Sequence, residues 1–205
     1  WIINHKNKIY HEVIGYNDLV KNNKLNKNSY YRIWSMTKPI VCFAAMQLIE
    51  KNFLSLDDTI DKYLPNFKNL KKLKSLTSKL DDTIKIDNTP TVRQLLQHTA
   101  GFTYNSSNNF LAEGYEEKKL FHSSSRSLEE EIESISGLPL LYEPGSEWHY
   151  SISIDSLARI LEVVTKDKLL NILKENIFYP LDMNETNFFI SEDKNKNLVE
   201  TFEYN

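Results

Sequence analysis

The 205-residue chain has 25 basic and 28 acidic residues, a formal net charge of −3 and a single cysteine. This balance argues against a nucleic-acid-binding protein, and one cysteine forms neither an internal disulfide nor a cysteine cluster for zinc or iron–sulfur. No apolar run approaches the roughly 20 residues of a membrane span. The five glycines are isolated, which excludes the GxGxxG, P-loop and GxSxG motifs.

The start of the chain predicts a β-hairpin followed by a helix. Apolar residues within 1–14 flank a polar turn at 5–8, a pattern typical of a hairpin. The chain opens at Trp1 without an initiator methionine or signal peptide, so we expect it to be part of a longer protein. A helix is predicted from Met36 to Lys51, and because it is apolar on nearly every side we expect it to be buried.

The middle of the chain predicts mostly helix. Thr91 and the Ser127-to-Glu130 capping-box pattern mark two helix starts, and the stretch 69–88 is interpreted as a surface insertion. In chain order we predict a short helix within 54–67 ended by Pro65, a short strand at 84–86, and helices over 91–97, from 127 to about 136, from 153 onward, and 167–176.

The candidate nucleophile is Ser35, in the tetrapeptide Ser35-Met36-Thr37-Lys38. A serine hydroxyl needs an adjacent base, and a lysine one helical turn later lies on the same face. The helix N-terminus offers N–H groups and a positive dipole end to an oxyanion. Lys38 can act as a base only when partly neutral, and we expect burial to lower its pKa.

The pattern alone leaves another interpretation open, which is a plain helix N-cap followed by a solvated lysine. The same spacing recurs at Ser191 and Lys194, in a charged tail without a following apolar helix, where we expect no function.

The segment Tyr31–Ile40 resembles the nucleophile helix of the serine β-lactamase-like superfamily, which includes class C β-lactamases, penicillin-binding DD-peptidases and related esterases. Further segments resemble this family in the same order, at 54–58, 63–65, 91–101, 138–151 and 177–183. The resemblance implies an α+β, β-lactamase/transpeptidase-like fold. The chain would be a single partial domain over 1–205, with the hairpin and nucleophile helix of the α/β part in 1–51, a mostly helical region in 52–190, and 191–205 returning toward sheet strands outside it.

The resemblance also implies that Tyr150 is a second catalytic residue beside Ser35 and Lys38. A phenol hydrogen-bonded to both could relay the hydroxyl proton and protonate the leaving group. Without the family context, Tyr150 would be interpreted as a half-buried core aromatic. The implied reaction is acyl transfer through an acyl-enzyme on a small-molecule ester or amide, with no cofactor or metal. The compartment (cytoplasmic or periplasmic) and the oligomeric state stay open.

Two departures from the family pattern set the expected activity. Ile152 stands where the Tyr-x-Asn pattern has an asparagine that binds the substrate amide, so an esterase is favoured over a β-lactamase or DD-peptidase. The third family motif, which supplies half of the oxyanion hole, would lie beyond Asn205, so we expect these 205 residues alone to be inactive or nearly so. A non-catalytic binding or scaffold protein of the same fold is the alternative.

The remaining candidates have structural interpretations. We expect His98 to hydrogen-bond a loop and His149 to shape the pocket. Core packing is expected for Trp34, Tyr104 and Tyr115, with the lining of an acyl pocket as the alternative.

Overall fold

The computed structural model describes residues 2–4, 7–10, 12–104, 110–120 and 126–201. The chain divides into two units, which we call the terminal unit (residues 1–37 and 185–205) and the central unit (residues 38–184). Among the described residues, none of the helices combines the length and the apolar character that a membrane span requires.

The terminal unit contains two antiparallel strand pairs. β1 (Ile2–Asn4) pairs with β2 (Asn7–Tyr10), which confirms the predicted hairpin, although β2 begins inside the predicted turn. Residues 5 and 6 of that turn lie outside the described residues. β3 (Tyr16–Asp18) pairs with β4 (Asn23–Lys24), a pair that the sequence analysis did not predict.

The last residues of the terminal unit bind back to its beginning through the backbone. The Tyr30 amide donates to the Asn197 carbonyl at 2.9 Å, and the Val199 amide donates to the Tyr30 carbonyl at 2.9 Å. The Glu200 amide donates to the Asn17 carbonyl at 2.8 Å. Two distant stretches of sequence therefore form one unit.

The helix after Ser35 is shorter than predicted and is buried on one face. A 3₁₀ turn (Trp34–Met36) precedes α1 (Thr37–Glu50). The buried positions of α1 recur at helical spacing and are Val41, Ala44, Ala45 and Leu48. Phe43 is 55% exposed and Met46 is 47% exposed, so the predicted burial is confirmed for one face of the helix only. Apolar composition does not show which face has a packing partner.

Helix α5 organises the core of the central unit. α5 (Ser153–Thr165) begins where predicted and packs against α2 (Val92–Leu96), α4 (Leu128–Ile135) and α6 (Leu169–Leu173). The predicted capping boxes are confirmed: Thr91 with Gln94 begins α2, and Ser127 with Glu130 begins α4. The largest fully buried side chains are Tyr115, Phe67, Phe102, Ile60, Leu95, Leu111, Leu120, Ile132, Ile135, Leu140, Ile152 and Leu157.

Several elements of the central unit differ from the prediction. Two 3₁₀ turns, Ile60–Lys62 and Pro65–Phe67, replace the helix predicted within 54–67. Pro65 begins the second turn, because proline suits the first position of a helical segment. α3 (Phe110–Glu117) was not predicted, a single helical turn forms α7 (Glu192–Asn195) in the terminal unit, and a π-helical turn (Lys174–Phe178) follows α6.

The stretch predicted as a surface insertion is tied into the core by backbone pairing. β6 (Thr83–Lys85) lies near the predicted strand and pairs antiparallel with β5 (Lys71–Leu73). On its other edge, β5 exchanges two hydrogen bonds of 2.8 Å with the backbone of Leu140. Leu140 itself is fully buried, so this sheet edge rests on the core.

Candidate active site

Two irregular segments of the central unit meet directly after α2. The amides of Leu141, Gly145 and His149 donate to carbonyls of residues 101, 99 and 98 at 2.8, 2.7 and 2.9 Å. Gly101 has φ +89°, and a Cβ there would lie 2.7 Å from the Tyr142 carbonyl oxygen. This pairing needs glycine at that position and fixes the loop that leads to Tyr150.

Lys38, in the first turn of α1, lies against two tyrosine rings. Its Nζ is 5.1 Å from the ring centroid of Tyr150 and 5.3 Å from that of Tyr104. The two ring centroids are 5.7 Å apart. Both distances from Nζ lie within the range of cation–π attraction. The structure thus brings Lys38 and Tyr150 together, and it adds Tyr104, for which core packing was expected.

The pKa of Lys38 is raised above its usual value. Burial lowers this pKa, but interaction with the Tyr104 phenol and the charge of Asp155 outweigh the effect of burial. The expectation that burial makes Lys38 a neutral base is therefore wrong for the resting protein, in which the side chain is an ammonium ion. Lys38 is half-buried and lies against these rings, so it is only partly solvated.

Tyr104 keeps its proton at neutral pH. Burial raises the pKa of its phenol, the negative charge of Asp155 raises it further, and Lys38 lowers it. Tyr104 is therefore a hydroxyl group that can donate a hydrogen bond close to the Lys38 ammonium.

Asp155 is a buried carboxylic acid whose role the sequence analysis missed. Burial raises its pKa to about 6, although the positive charge of Lys38 and a hydrogen bond from its own backbone lower it. No hydrogen-bond partner among the described residues reaches its Oδ2 atom. Its charge raises the pKa of both Lys38 and Tyr104, so it is part of the same electrostatic cluster. Asp155 shares its face of α5 with Arg159 and Glu162, four and seven residues later, so no local pattern distinguishes it from an ordinary charged helix position.

His98 binds the loop that carries Tyr150, as predicted. Its Nδ1 accepts a hydrogen bond of 3.3 Å from the Ser151 amide, and its ring lies 4.8 Å from the Tyr150 ring at an interplanar angle of 35°. Burial lowers the pKa of His98, and the positive charges of Lys38 and His149 lower it further. His98 is therefore neutral near pH 7.

The other candidates have different surroundings. His149 Nε2 lies 3.1 Å from Thr103 Oγ1, and burial lowers the pKa of this histidine although Glu147 raises it. Tyr115 is fully buried, which confirms core packing, whereas Trp34 is 70% exposed and core packing is wrong for it.

Among the described residues, no group of three or more His, Cys, Asp or Glu side chains is placed to hold a metal ion.

Ser35 occupies the middle of the 3₁₀ turn directly before α1, three residues before Lys38 in the chain. The residue before it, Trp34, has a left-handed backbone with φ +46°. This conformation is an outlier for a bulky residue and is typical of segments whose geometry is constrained by their surroundings. Ser35 therefore lies between a constrained residue and the first turn of a long helix.

Comparison with known proteins identifies the family. The model of the Beta-lactamase family matches residues 1–205. The chain belongs to the beta-lactamase family. Within it, esterase EstB of Burkholderia gladioli is 26% identical over 198 residues, which cover 93% of this chain and 46% of that protein.

Solved structures of the beta-lactamase fold confirm the predicted fold class. EstCE1, described as a hydrolase with promiscuous acyltransferase activity, is 31% identical with a TM-score of 0.73 and covers 90% of this chain and 46% of that one. Unliganded simvastatin synthase from Aspergillus terreus is 26% identical with a TM-score of 0.66 and covers 82% of this chain and 43% of that one. The chain spans less than half the length of these relatives.

Ile152 is the residue that the family resemblance compares with the asparagine of the Tyr-x-Asn pattern. Its side chain is fully buried in the core, and the residue directly precedes α5. Its amide donates to the Thr103 carbonyl at 3.4 Å. The position therefore presents no side-chain amide to a substrate.

Proposed function

We propose that the protein is a serine hydrolase that acts by acyl transfer, with Ser35 as the nucleophile and Lys38 and Tyr150 as its proton-handling residues. The observation that carries this proposal is the position of the Lys38 ammonium against the Tyr150 ring, one helical turn after a serine in the sequence. Two similar proteins, named as an esterase and as a hydrolase with promiscuous acyltransferase activity, support the same reaction class.

The raised pKa of Lys38 changes how the proton of Ser35 would move. An ammonium ion cannot accept this proton, so we assign acceptance to the Tyr150 oxygen in its ionised, phenolate form. The adjacent positive charge of Lys38 would stabilise this phenolate before the transfer, and the proton from Ser35 would convert it to the neutral phenol. Tyr150 would then return the proton to the leaving group, and water or an alcohol would release the acyl group from Ser35.

A serine-directed probe tests the nucleophile. In the full-length protein, meaning the complete product of the reading frame that contains these residues, a fluorophosphonate should label Ser35, and Ser35→Ala should abolish labelling. Ser191→Ala is the matched control, because Ser191 has the same spacing to a lysine, and this variant should label normally. Labelling that persists in Ser35→Ala would show that another serine is the nucleophile.

We further propose that the substrates are esters rather than β-lactams, because Ile152 supplies no amide to the substrate. A buried polar group of the substrate that loses its partner costs about 1–3 kcal/mol. The kcat/KM for a short-chain p-nitrophenyl ester should exceed that for nitrocefin by at least about tenfold. A larger value for nitrocefin would contradict this substrate class while leaving the Ser35 assignment to the labelling experiment.

A further inference from the structure

His98 makes contact with three consecutive residues of the loop that carries Tyr150. Its carbonyl accepts a hydrogen bond of 2.9 Å from the His149 amide. Its ring lies against the Tyr150 ring, with centroids 4.8 Å apart. Its Nδ1 accepts a hydrogen bond of 3.3 Å from the Ser151 amide. His98 therefore contacts the Tyr150 ring directly and hydrogen-bonds the backbone of the residues on both sides of Tyr150.

The Ser151 end of this arrangement is rigid because it is buried. Ser151 and Ser153 are both fully buried, and their hydroxyl oxygens are 2.8 Å apart. The Ser153 amide donates to the Ser151 hydroxyl at 3.3 Å, at the first residue of α5. A buried amide without an acceptor costs free energy, so losing Nδ1 would force the Ser151 backbone to move.

The hydrogen bond from the Ser151 amide favours one tautomer of His98. Because an amide N–H only donates, Nδ1 has to be unprotonated to accept from it, with the ring proton on Nε2. Nδ1 also lies 3.5 Å from the Ser151 hydroxyl oxygen, which can donate to Nδ1 in this same tautomer. The titratable groups that face His98 are Lys38, His149 and Tyr150. The positive charge of Lys38 disfavours a second proton on the imidazole, which keeps Nδ1 available as an acceptor.

We propose that His98 is a positioning residue for the acyl-transfer reaction: as the neutral Nε2–H tautomer, it holds the Tyr150 phenol against Lys38 through its bond to the Ser151 amide. This inference rests on the proposed role of Tyr150. His98 itself touches neither the substrate nor the serine in this assignment, so its replacement should change kcat and leave KM nearly unchanged.

Two substitutions of His98 distinguish the role of its Nδ1 acceptor from the role of its aromatic ring. His98 has φ +56°, a left-handed conformation that asparagine tolerates well. The Oδ1 of His98→Asn lies close to the position of Nδ1 and can accept from Ser151, whereas the amide of His98→Gln reaches the position of Nε2 instead. Both variants lose the ring that packs on Tyr150, so their difference reports the hydrogen bond together with the strain that φ +56° places on glutamine, and thermal unfolding of the two variants measures that strain.

We expect ester hydrolysis by the full-length His98→Asn variant to keep kcat within about fivefold of the wild type. The His98→Gln variant should lose about 10- to 100-fold in kcat with KM within about threefold, because small displacements of a catalytic group cost rates of this order. Thermal unfolding of both variants checks that they fold. Equal kcat values for folded Asn and Gln variants, or a loss confined to KM, would overturn the proposal.

A measurement on the wild-type protein tests the tautomer of His98 directly. It depends neither on turnover nor on whether a variant folds. The ¹⁵N chemical shifts of His98 at pH 7 should show an unprotonated Nδ1 and a protonated Nε2. A protonated Nδ1 would overturn the positioning role whatever the activity. If the wild type neither labels at Ser35 nor hydrolyses esters, the proposed function fails, and the tautomer still decides whether His98 holds the loop.

Discussion

The chain contains the Ser-x-x-Lys spacing twice, and the two lysines occupy different surroundings. Lys38 is half-buried and lies against the rings of Tyr104 and Tyr150. Lys194, in the terminal unit, lies 5.8 Å from the Tyr30 ring centroid and forms an ion pair of 2.5 Å with Glu185. Both lysines therefore have an aromatic ring and a carboxyl group nearby.

The carboxyl groups near the two lysines differ in burial, and their pKa values shift in opposite directions. Burial raises the pKa of Asp155, the acid near Lys38, to about 6. Hydrogen bonds from Lys194 and Tyr30 lower the pKa of Glu185, which is exposed. Water solvates the second cluster, so its ion pair is an ordinary surface contact worth little. The two Ser-x-x-Lys lysines therefore differ in the burial of the carboxyl group near them.

Removing each lysine tests this comparison most strongly. Lys38→Met in the full-length protein should lower kcat/KM for an ester by about 10²–10³-fold, since this is the usual cost of removing a group that stabilises charge in the transition state. Lys194→Met, the matched control, should stay within about twofold of the wild type. Equal effects of the two substitutions would mean that the difference in surroundings does not matter for the reaction.

The backbone that pairs with the loop leading to Tyr150 should be less tolerant of change than a surface position. Gly101→Ala adds a Cβ at φ +89° and 2.7 Å from the Tyr142 carbonyl oxygen, so we expect a loss of about 3–4 kcal/mol in the free energy of unfolding. At Gly137, no atom of the described residues lies within 4 Å of an added Cβ, and Gly137→Ala should change this free energy by less than about 1 kcal/mol. Urea denaturation of both variants measures the difference, and a stable Gly101→Ala protein would contradict the close approach.

The two carboxyl groups should give pH dependences of opposite sign. The pKa of Asp155 is raised to about 6 from 3.8, so the folded state binds more protons than the unfolded state between these values. Ionised Asp155 therefore reduces stability as the pH rises through this window, by about 2–3 kcal/mol in full. Asp155→Asn should become more stable relative to the wild type between pH 4 and 7 in urea denaturation.

Glu185→Gln is the control for this experiment. The pKa of Glu185 is lowered in the folded state, so its ionised form stabilises the fold above its unfolded pKa and this contribution disappears as the pH falls. The variant should therefore lose a small amount of stability at neutral pH and none in acid. A gain at neutral pH for Glu185→Gln, or a loss for Asp155→Asn, would contradict the assigned surroundings.

Local chemistry explains which helices could be predicted from sequence. Thr91 and Ser127 begin helices through hydrogen bonds to residues three positions later, so the sequence itself contains the signal. α3 was missed because Gly114 interrupts its pattern, and the structure shows that a Cβ there would lie 2.9 Å from the Leu80 side chain. β5 was missed because its partners come from two other parts of the chain. The division of the domain at residues 51 and 190 stays a prediction.

The site could be predicted only in part. Lys38 and Tyr150 were named together from the family resemblance, whereas their proximity depends on tertiary packing that no local pattern encodes. The direction of the Lys38 pKa shift was wrong because burial, which lowers it, is outweighed by Tyr104 and Asp155. Neither residue is near Lys38 in the sequence. The catalytic roles of Ser35, Lys38 and Tyr150 stay predictions until the labelling and kinetic experiments are done.

The hydrogen bond between Ser151 and His98 also closes a large loop, because the two residues are 53 positions apart in the chain. The entropy cost of closing a flexible loop rises with the logarithm of its length, so ten residues inserted between them would cost only about 0.2 kcal/mol. The same separation slows the formation of the contact during folding. An insertion in an irregular part of this segment would therefore add little loop-closure entropy, whereas α3 and α4, which lie within it, contribute buried residues to the core.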